Sequence, residues 1–491
     1  MARPPRLSKS RYQSGLQCPK RLWLECYRRD LADPLDEAKQ AIFDQGHRVG
    51  ELARERFPGG DLVAEDYTQS TAALRTTADL IASGSPCLYE AALIYDDVLV
   101  RPDILLRAAD GRYDLIEVKS TSRVKPEHVT DAGVQTYVVE GAGSPVARTC
   151  VMHLNTDYVY QGGAYDLNGL FSLVDVTAEV RDYLPEVPDR LREMRAMLAG
   201  ECPERMIGMH CSAPYDCGFI GHCHSFLPDF PVTEIPRIKA DVLDQLLMDG
   251  IYGIHDVPPD YPALSPAQRN ACDLIQSGEP RFGAGLSAAL AALAYPVHFL
   301  DFETYMPALP LFPGTRPYQT LPAQWSCHTL NAGGTLEHAD FLHQDRSDPR
   351  LPFVKSLLAA LDGQGSIVVY SSYEKTRLSA LAEELPDLAA AIEAIKCRLV
   401  DLEKVIKAHV QHPDFHGRSS LKFVMPALVD GLSYDGSAIQ NGGVAALRYE
   451  AAILGELPEP ERQQIFADLR AYCAIDTLGL VRVVEELRRR C

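Results

Sequence analysis

Apolar residues recur along the chain at two periods. Within 36–57 the spacing of Ala41, Phe43, Val49, Leu52 and Ala53 predicts a helix, and 127–141, 181–198 and 463–490 show the same helical period. Shorter β-branched and apolar runs at 97–106, 113–120, 149–157, 296–302, 367–370 and 398–402 predict strands. Asp110-Gly111 between the first two is a turn pair, so those two strands form a hairpin. The apolar run 286–300 is too short to span a bilayer and is interrupted by Pro296 and His298. The N-terminal segment has no apolar core of the kind a secretory signal carries. A cytoplasmic protein that does not enter a membrane is therefore expected.

Prolines cluster from Pro228 to Pro236, which marks a boundary. With 491 residues, the chain has room for two to four domains. The expected division is 1–230, a helical linker over 231–290, and 291–491, all in an α/β multidomain class. Around Gly250 the linker reads as helix, glycine turn, helix. It is similar to a helix-hairpin-helix that binds DNA phosphates, and is equally a packing linker. The composition is 46% apolar and 23% charged, that of an ordinary globular chain. A net charge of −19 argues against coating nucleic acid by bulk electrostatics. It leaves room for acidic metal sites, and the first thirty residues are locally basic.

The expected hairpin carries Pro102-Asp103 on one strand and Glu117-Val118-Lys119 on the next. Residues two apart on a strand share a face, so Glu117 and Lys119 project together and Asp103 comes alongside. Two carboxylates can hold Mg²⁺ or Mn²⁺, and the lysine can position and polarise water. The bland alternative is an exposed hairpin with a solvated charge pair. This arrangement resembles the core motif of PD-(D/E)XK nucleases. The RecB-like branch adds a metal-binding histidine upstream and a glutamine downstream, matched by His47 and Gln135. The family's tyrosine falls at Tyr137, two residues after the glutamine and not four.

Thirteen cysteines in a chain expected to be reduced point to ligation more than to disulfides. Cys211, Cys217 and Cys223 lack the paired spacing of a zinc finger. The layout is similar to RecB-like exonucleases of the CRISPR-associated and AddB type, in which an N-terminal cysteine and three C-terminal ones hold a [4Fe–4S] cluster. That resemblance implies Cys18, Cys211, Cys217 and Cys223 as ligands, with Cys202 a rival and Zn²⁺ the alternative ion. Buried free thiols describe Cys87, Cys150, Cys272, Cys327, Cys397 and Cys473.

A second set of acids begins with Asp301 and Glu303, two apart on the strand 296–302. Tyr472 and Asp476, four apart on the last helix, share one helical face. Between them a buried strand leads to Glu374 at the start of a helix. Carboxylates converging in this way hold two metals about 4 Å apart. The set resembles the DnaQ-like DEDD exonucleases of the RNase H fold, with Tyr472 orienting the nucleophilic water and Glu374 standing where that family has an aspartate. Lys422 is placed to touch phosphate or to lie solvated, and Asp401 to cap a helix.

Together these resemblances imply a restriction-endonuclease-like domain fused to an RNase H-like 3′→5′ exonuclease domain. The implied reaction is metal-dependent phosphodiester hydrolysis on single-stranded DNA ends, with RNA as the alternative substrate. The rival function is a nucleic-acid-binding or scaffold protein in which one or both sites are inactive.

Overall fold

A computed structural model describes residues 4–35, 37–432 and 436–491. The protein is mixed α/β and divides into two compact units. One comprises the chain up to Phe226 together with Pro307–Gln319, and the other comprises Leu227–Met306 with Thr320–Cys491.

The first unit opens with helices α1 (Lys9–Gln17), α2 (Pro19–Tyr27) and α3 (Glu37–Arg54). Its main sheet has six strands: β1 (Asp61–Leu62), β2 (Cys87–Tyr89), β3 (Ile104–Arg107), β4 (Tyr113–Lys119), β5 (Val146–Leu154) and β6 (Phe171–Asp175). They lie side by side in chain order; β1 with β2 and β4 with β5 are parallel, and the other neighbours antiparallel. Helix α4 (Pro126–Gly141) is the crossover between β4 and β5. The alternation along β4 divides the core. Tyr113 and Leu115 pack with Tyr12 of α1 and with Val134 and Val138 of α4. Ile116 packs on the other face with Val49 and Ala53 of α3. Glu117 and Lys119 therefore share the α1/α4 face. A small sheet of Leu7–Ser8, Val98–Val100 and Leu93–Tyr95 fixes the entry to α1.

The second unit is built on five strands: β7 (Val297–Tyr305), β8 (Leu321–Leu330), β9 (Leu336–Leu342), β10 (Ile367–Val369) and β11 (Leu399–Asp401), in the order β9-β8-β7-β10-β11. The pairs β7–β8 and β8–β9 are antiparallel, and β10 pairs in parallel with both β7 and β11. Val297 and Phe299 pack with Leu480, Val483 and Val484 of the long C-terminal helix. Leu300 and Phe302 pack on the opposite face with Phe353 and Leu357. Asp301 and Glu303 thus project from the same face as Phe299, toward that helix.

Several expected elements differ. The run 97–106 is broken at Arg101–Asp103, so Asp103 lies in a bend just ahead of β3 and not within a strand. The helical run 181–198 is two helices, Thr177–Tyr183 and Val187–Leu198, joined by a 3₁₀ turn at Leu184–Glu186. After Gly250, at φ 76°, the second helix expected of a hairpin is a single 3₁₀ turn, Ile254–Asp256. The next α-helix starts only at Pro266, and residues 231–290 fall within the second unit. Among the described residues no helix is long and apolar enough to cross a membrane.

Candidate functional sites

In the first unit, the bend before β3 and the end of β4 bring acids and lysines together. Asp103 Oδ2 accepts a 2.6 Å hydrogen bond from the backbone N–H of Val118. Glu117 is 1% exposed, and its two oxygens are engaged separately. Oε2 accepts from Gln135 Nε2 at 2.7 Å, and Oε1 accepts from Lys119 Nζ at 2.7 Å and from Lys9 Nζ at 2.6 Å. Lys119 also donates to Asp131 Oδ2 at 2.5 Å. Burial alone would raise the Glu117 carboxyl, but Lys119 and Lys9 overcome it and hold it well below the usual range. Asp103 behaves oppositely: burial first, and then the charge of Glu117, push it up to about 8. The two neighbouring carboxyls are thus driven in opposite directions, Glu117 by the ammonium groups it touches and Asp103 by burial and by Glu117. Asp131 Oδ1 and Gln135 Oε1 are buried without a hydrogen-bond partner.

His47 does not join this group. Helix α3 packs through Val49 and Ala53 on the sheet face opposite Glu117, and His47 is exposed. Its ligand atoms, with those of Asp103 and Glu117, do not come within 4.8 Å of one another as a set. Tyr137 is also elsewhere: its ring packs edge-on against Tyr95 and its hydroxyl donates to Asp96 at 3.3 Å. A cleft of about 650 Å³ opens on the site, with Lys9, Gln13, Arg21, Lys119, Asp131 and Tyr215 in its wall.

The two ends of the same unit meet at the cysteines. Cys18 is the residue between α1 and α2, and the side chain of Gln17 donates to the carbonyls of His210 at 2.8 Å and Tyr215 at 2.7 Å. Asp33 accepts from the N–H of Gly221 at 3.1 Å. Cys18, Cys211, Cys217 and Cys223 are all free thiols. Burial raises Cys211, Cys217 and Cys223, and the charge of Cys18 acts on each of them in the same direction. Cys18 also acts on Cys202, so the fifth cysteine stays within reach of the group. No three of these sulfurs lie within 4.8 Å of one another.

In the second unit, helices α5 (Tyr373–Glu384), α6 (Gly442–Leu454) and α7 (Glu459–Arg489) supply residues beside β7. One ligand atom each from Asp301, Glu303 and Cys473 lies within 4.8 Å of the others. Cys473 Sγ donates to Asp301 Oδ2 at 3.5 Å. Burial and then Asp476 raise Asp301 well above the usual range and push Glu303 up to about 8. Glu374 is also pushed up to about 8 by burial, with Asp401 adding to it. Its Oε2 is buried without a hydrogen-bond partner. Ser371, just ahead of α5, has φ 93°, a strained conformation for a side-chain-bearing residue that sets where Glu374 begins its helix. Gly442 at the start of α6 would place a Cβ 3.7 Å from Glu303 Oε2, and the Lys422 ammonium lowers Glu303 in opposition to its acidic neighbours. Tyr472 is buried on α7, one turn before Asp476. Asp401 caps the following helix by accepting from the N–H of Lys404 at 3.2 Å.

Three of these residues were not singled out from the sequence. Lys9 reads there as one of several basic residues near the N-terminus. Asp131 precedes Gln135 by four on one helix face, a spacing that pairs them once Gln135 is chosen. Cys473 reads as an ordinary core thiol, yet its position three residues before Asp476 puts both on the side of α7 that meets β7.

Residues 298–420, which include Asp301, Glu303 and Glu374, match a family profile described as a domain of unknown function, DUF2779. No curated protein matches the chain. A solved structure titled "Crystal structure of SSO0001" is similar at 12% identity over 45% of this chain and 87% of that one, with a TM-score of 0.22.

Proposed function

We propose that the protein is a divalent-metal-dependent nuclease with two centres. The first unit reads as a RecB-like, restriction-endonuclease-like domain and the second as an RNase H-like DEDD-type exonuclease domain. The observation that carries this reading is the convergence of Asp301, Glu303, Glu374 and Asp476: Glu374 and Asp476 are buried, and Asp301 and Glu303, half-buried, are both raised by desolvation and by the charge of Asp476. Like charges withdrawn from water are costly unless a cation joins them. The Asp103–Glu117–Lys119 group in the first unit gives the reading independent support.

Asp103 and Glu117 would hold a metal in the first centre, and Asp301, Glu303 and Asp476 in the second. Bound Mg²⁺ or Mn²⁺ supplies Lewis-acid stabilisation of charge on the phosphate and makes water a better nucleophile. Gln135 fixes the rotamer of Glu117 through Oε2, leaving Oε1 for its other partners. Lys119, paired with Glu117 Oε1, would position the attacking water with its ammonium. In the second centre, Tyr472 is assigned to orienting the water and Glu374 to completing the acidic set. Single-stranded nucleic acid ends are the proposed substrate.

Cys18, Cys211, Cys217 and Cys223 are proposed to hold a [4Fe–4S] cluster that clasps the two ends of the first unit. Four thiolates suit a cluster of this kind. Iron and labile sulfide in anaerobically purified protein support it, and stoichiometric zinc without brown colour overturns it.

Degradation of 5′- and 3′-labelled single-stranded DNA and RNA with Mg²⁺ or Mn²⁺ tests the whole reading. Lys119→Ala is expected to abolish digestion from one end and Asp301→Ala from the other. If the double variant digests as fast as wild type, both centres are misassigned. Binding without degradation by the wild-type chain would leave a nucleic-acid-binding protein.

A further inference from the structure

Glu117 Oε1 accepts from two ammonium groups, and only one of them belongs to the hairpin motif. The other, Lys9, comes from the opposite end of the unit's sequence and also lies 3.8 Å from Asp131 Oδ2. Its place is fixed from both sides. Leu7, 1% exposed, precedes it in a strand paired with Val98, and Ser8 caps α1 by accepting from the N–H of Arg11 at 3.3 Å. Tyr12, fully buried, shares a 2.6 Å hydrogen bond with Tyr183. Lys9 is the first residue of α1, where the helix dipole disfavours a positive charge. Helix stability therefore does not account for a lysine at this position, whereas the carboxylates it faces do. Its side chain is 25% exposed and stands in the wall of the cleft with Arg21 and Lys119.

Resting on the nuclease reading of this site, we propose that Lys9 is an exchangeable cation that couples metal loading to substrate binding. Without a metal, its ammonium neutralises Glu117 and Asp131. A divalent ion at Asp103 and Glu117 competes with Lys9 for the same carboxylate, because two cations sharing one oxygen repel each other. Lys9 then turns into the cleft, where its next partner is a backbone phosphate of a single-stranded nucleic acid. Lys119 stays with the hairpin because Asp131 holds it at 2.5 Å, against 3.8 Å for Lys9. By linkage, metal and nucleic acid each strengthen binding of the other through this one side chain.

The proposal predicts effects of opposite sign from one substitution. In full-length protein carrying Asp301→Asn to quiet the second centre, Mn²⁺ binding is followed by calorimetry. Binding of a labelled oligodeoxynucleotide is followed in Ca²⁺ at several salt concentrations. Lys9→Met is expected to tighten Mn²⁺ binding about three- to tenfold and to weaken oligonucleotide binding about fivefold, lowering the salt slope by about 0.7. Lys9→Arg is expected to restore the salt slope. A purely structural role would weaken both ligands or neither, and either result overturns the proposal while leaving the nuclease reading intact. Glu117→Gln is the control: if it leaves Mn²⁺ binding unchanged, the metal site itself is wrong and the proposal falls with it.

Discussion

Glu117 illustrates how much of one residue's behaviour is set by what its two oxygens touch. Gln135, fully buried, is the donor to Oε2, and without it that oxygen loses this hydrogen bond. Gln135→Ala is expected to lower stability by about 1–3 kcal/mol, the cost of a buried acceptor left unpaired. It should also reduce first-centre hydrolysis with the Mg²⁺ requirement unchanged. Urea titration together with the end-labelled assay checks both effects. The pairing of Glu117 with Lys119 is legible in the sequence because the strand period puts both on one face, and the short connection from Arg107 to Tyr113 keeps Asp103 close to them along the chain. Lys9 and Asp131 are not, since they meet Glu117 only through the packing of α1 and α4 on the sheet. Cys473 is invisible for a related reason: a cysteine reads as core until β7 is known to pack beside α7.

At the scale of elements, the strong periodic runs define real helices and strands. The misjudged places are those where tertiary contacts or a local break override the period. Asp103 sits in such a break, and its side chain reaches the backbone of Val118, which a regular strand pairing would not allow. The sheet face that receives α3 is set by the packing of Val49 and Ala53 and not by order along the chain. Helix α4 carries Asp131 and Gln135 one turn apart, with Gly133 between them. A Cβ at Gly133 would lie 2.7 Å from Cδ1 of Tyr183, the tyrosine that hydrogen-bonds Tyr12 of α1. Gly133→Ala therefore pushes on the contact that seats the Lys9 helix. The expected cost is about 1–3 kcal/mol from overpacking, seen as a lower Tm. Tyr183→Ala in the same background should recover part of the Gly133→Ala penalty, because it removes the clashing ring.

For the whole molecule, the net charge of −19 matters less than where the acids are buried. Asp103, Glu303 and Glu374 are each pushed up to about 8 in the folded chain, and Asp301 is raised well above the usual range. In the unfolded chain these groups release their protons near the ordinary carboxylate values, about 4. Between those values the folded state binds more protons, so stability falls as pH rises. Below about pH 6.5 the trend is masked, because His128 and His328, lowered to about 4 by burial, act in the opposite direction. Glu117, held low by Lys119 and Lys9, is ionised in both states above that pH and adds no slope. The window from pH 6.5 to about 8 isolates the buried acids. Metal-free protein in EDTA is expected to lose stability across it, by on the order of 1 kcal/mol per pH unit for each fully responding group. Saturating Mn²⁺ should flatten or invert the slope, since a cation keeps the carboxylates ionised and binds more tightly as their protons leave. Urea midpoints at pH 6.5, 7.0, 7.5 and 8.0, with EDTA or with Mn²⁺, measure both slopes. The variant carrying Glu117→Gln and Asp301→Asn should lose the difference between them. Equal slopes in wild-type protein with and without Mn²⁺ would mean that these buried acids are not where the metal binds.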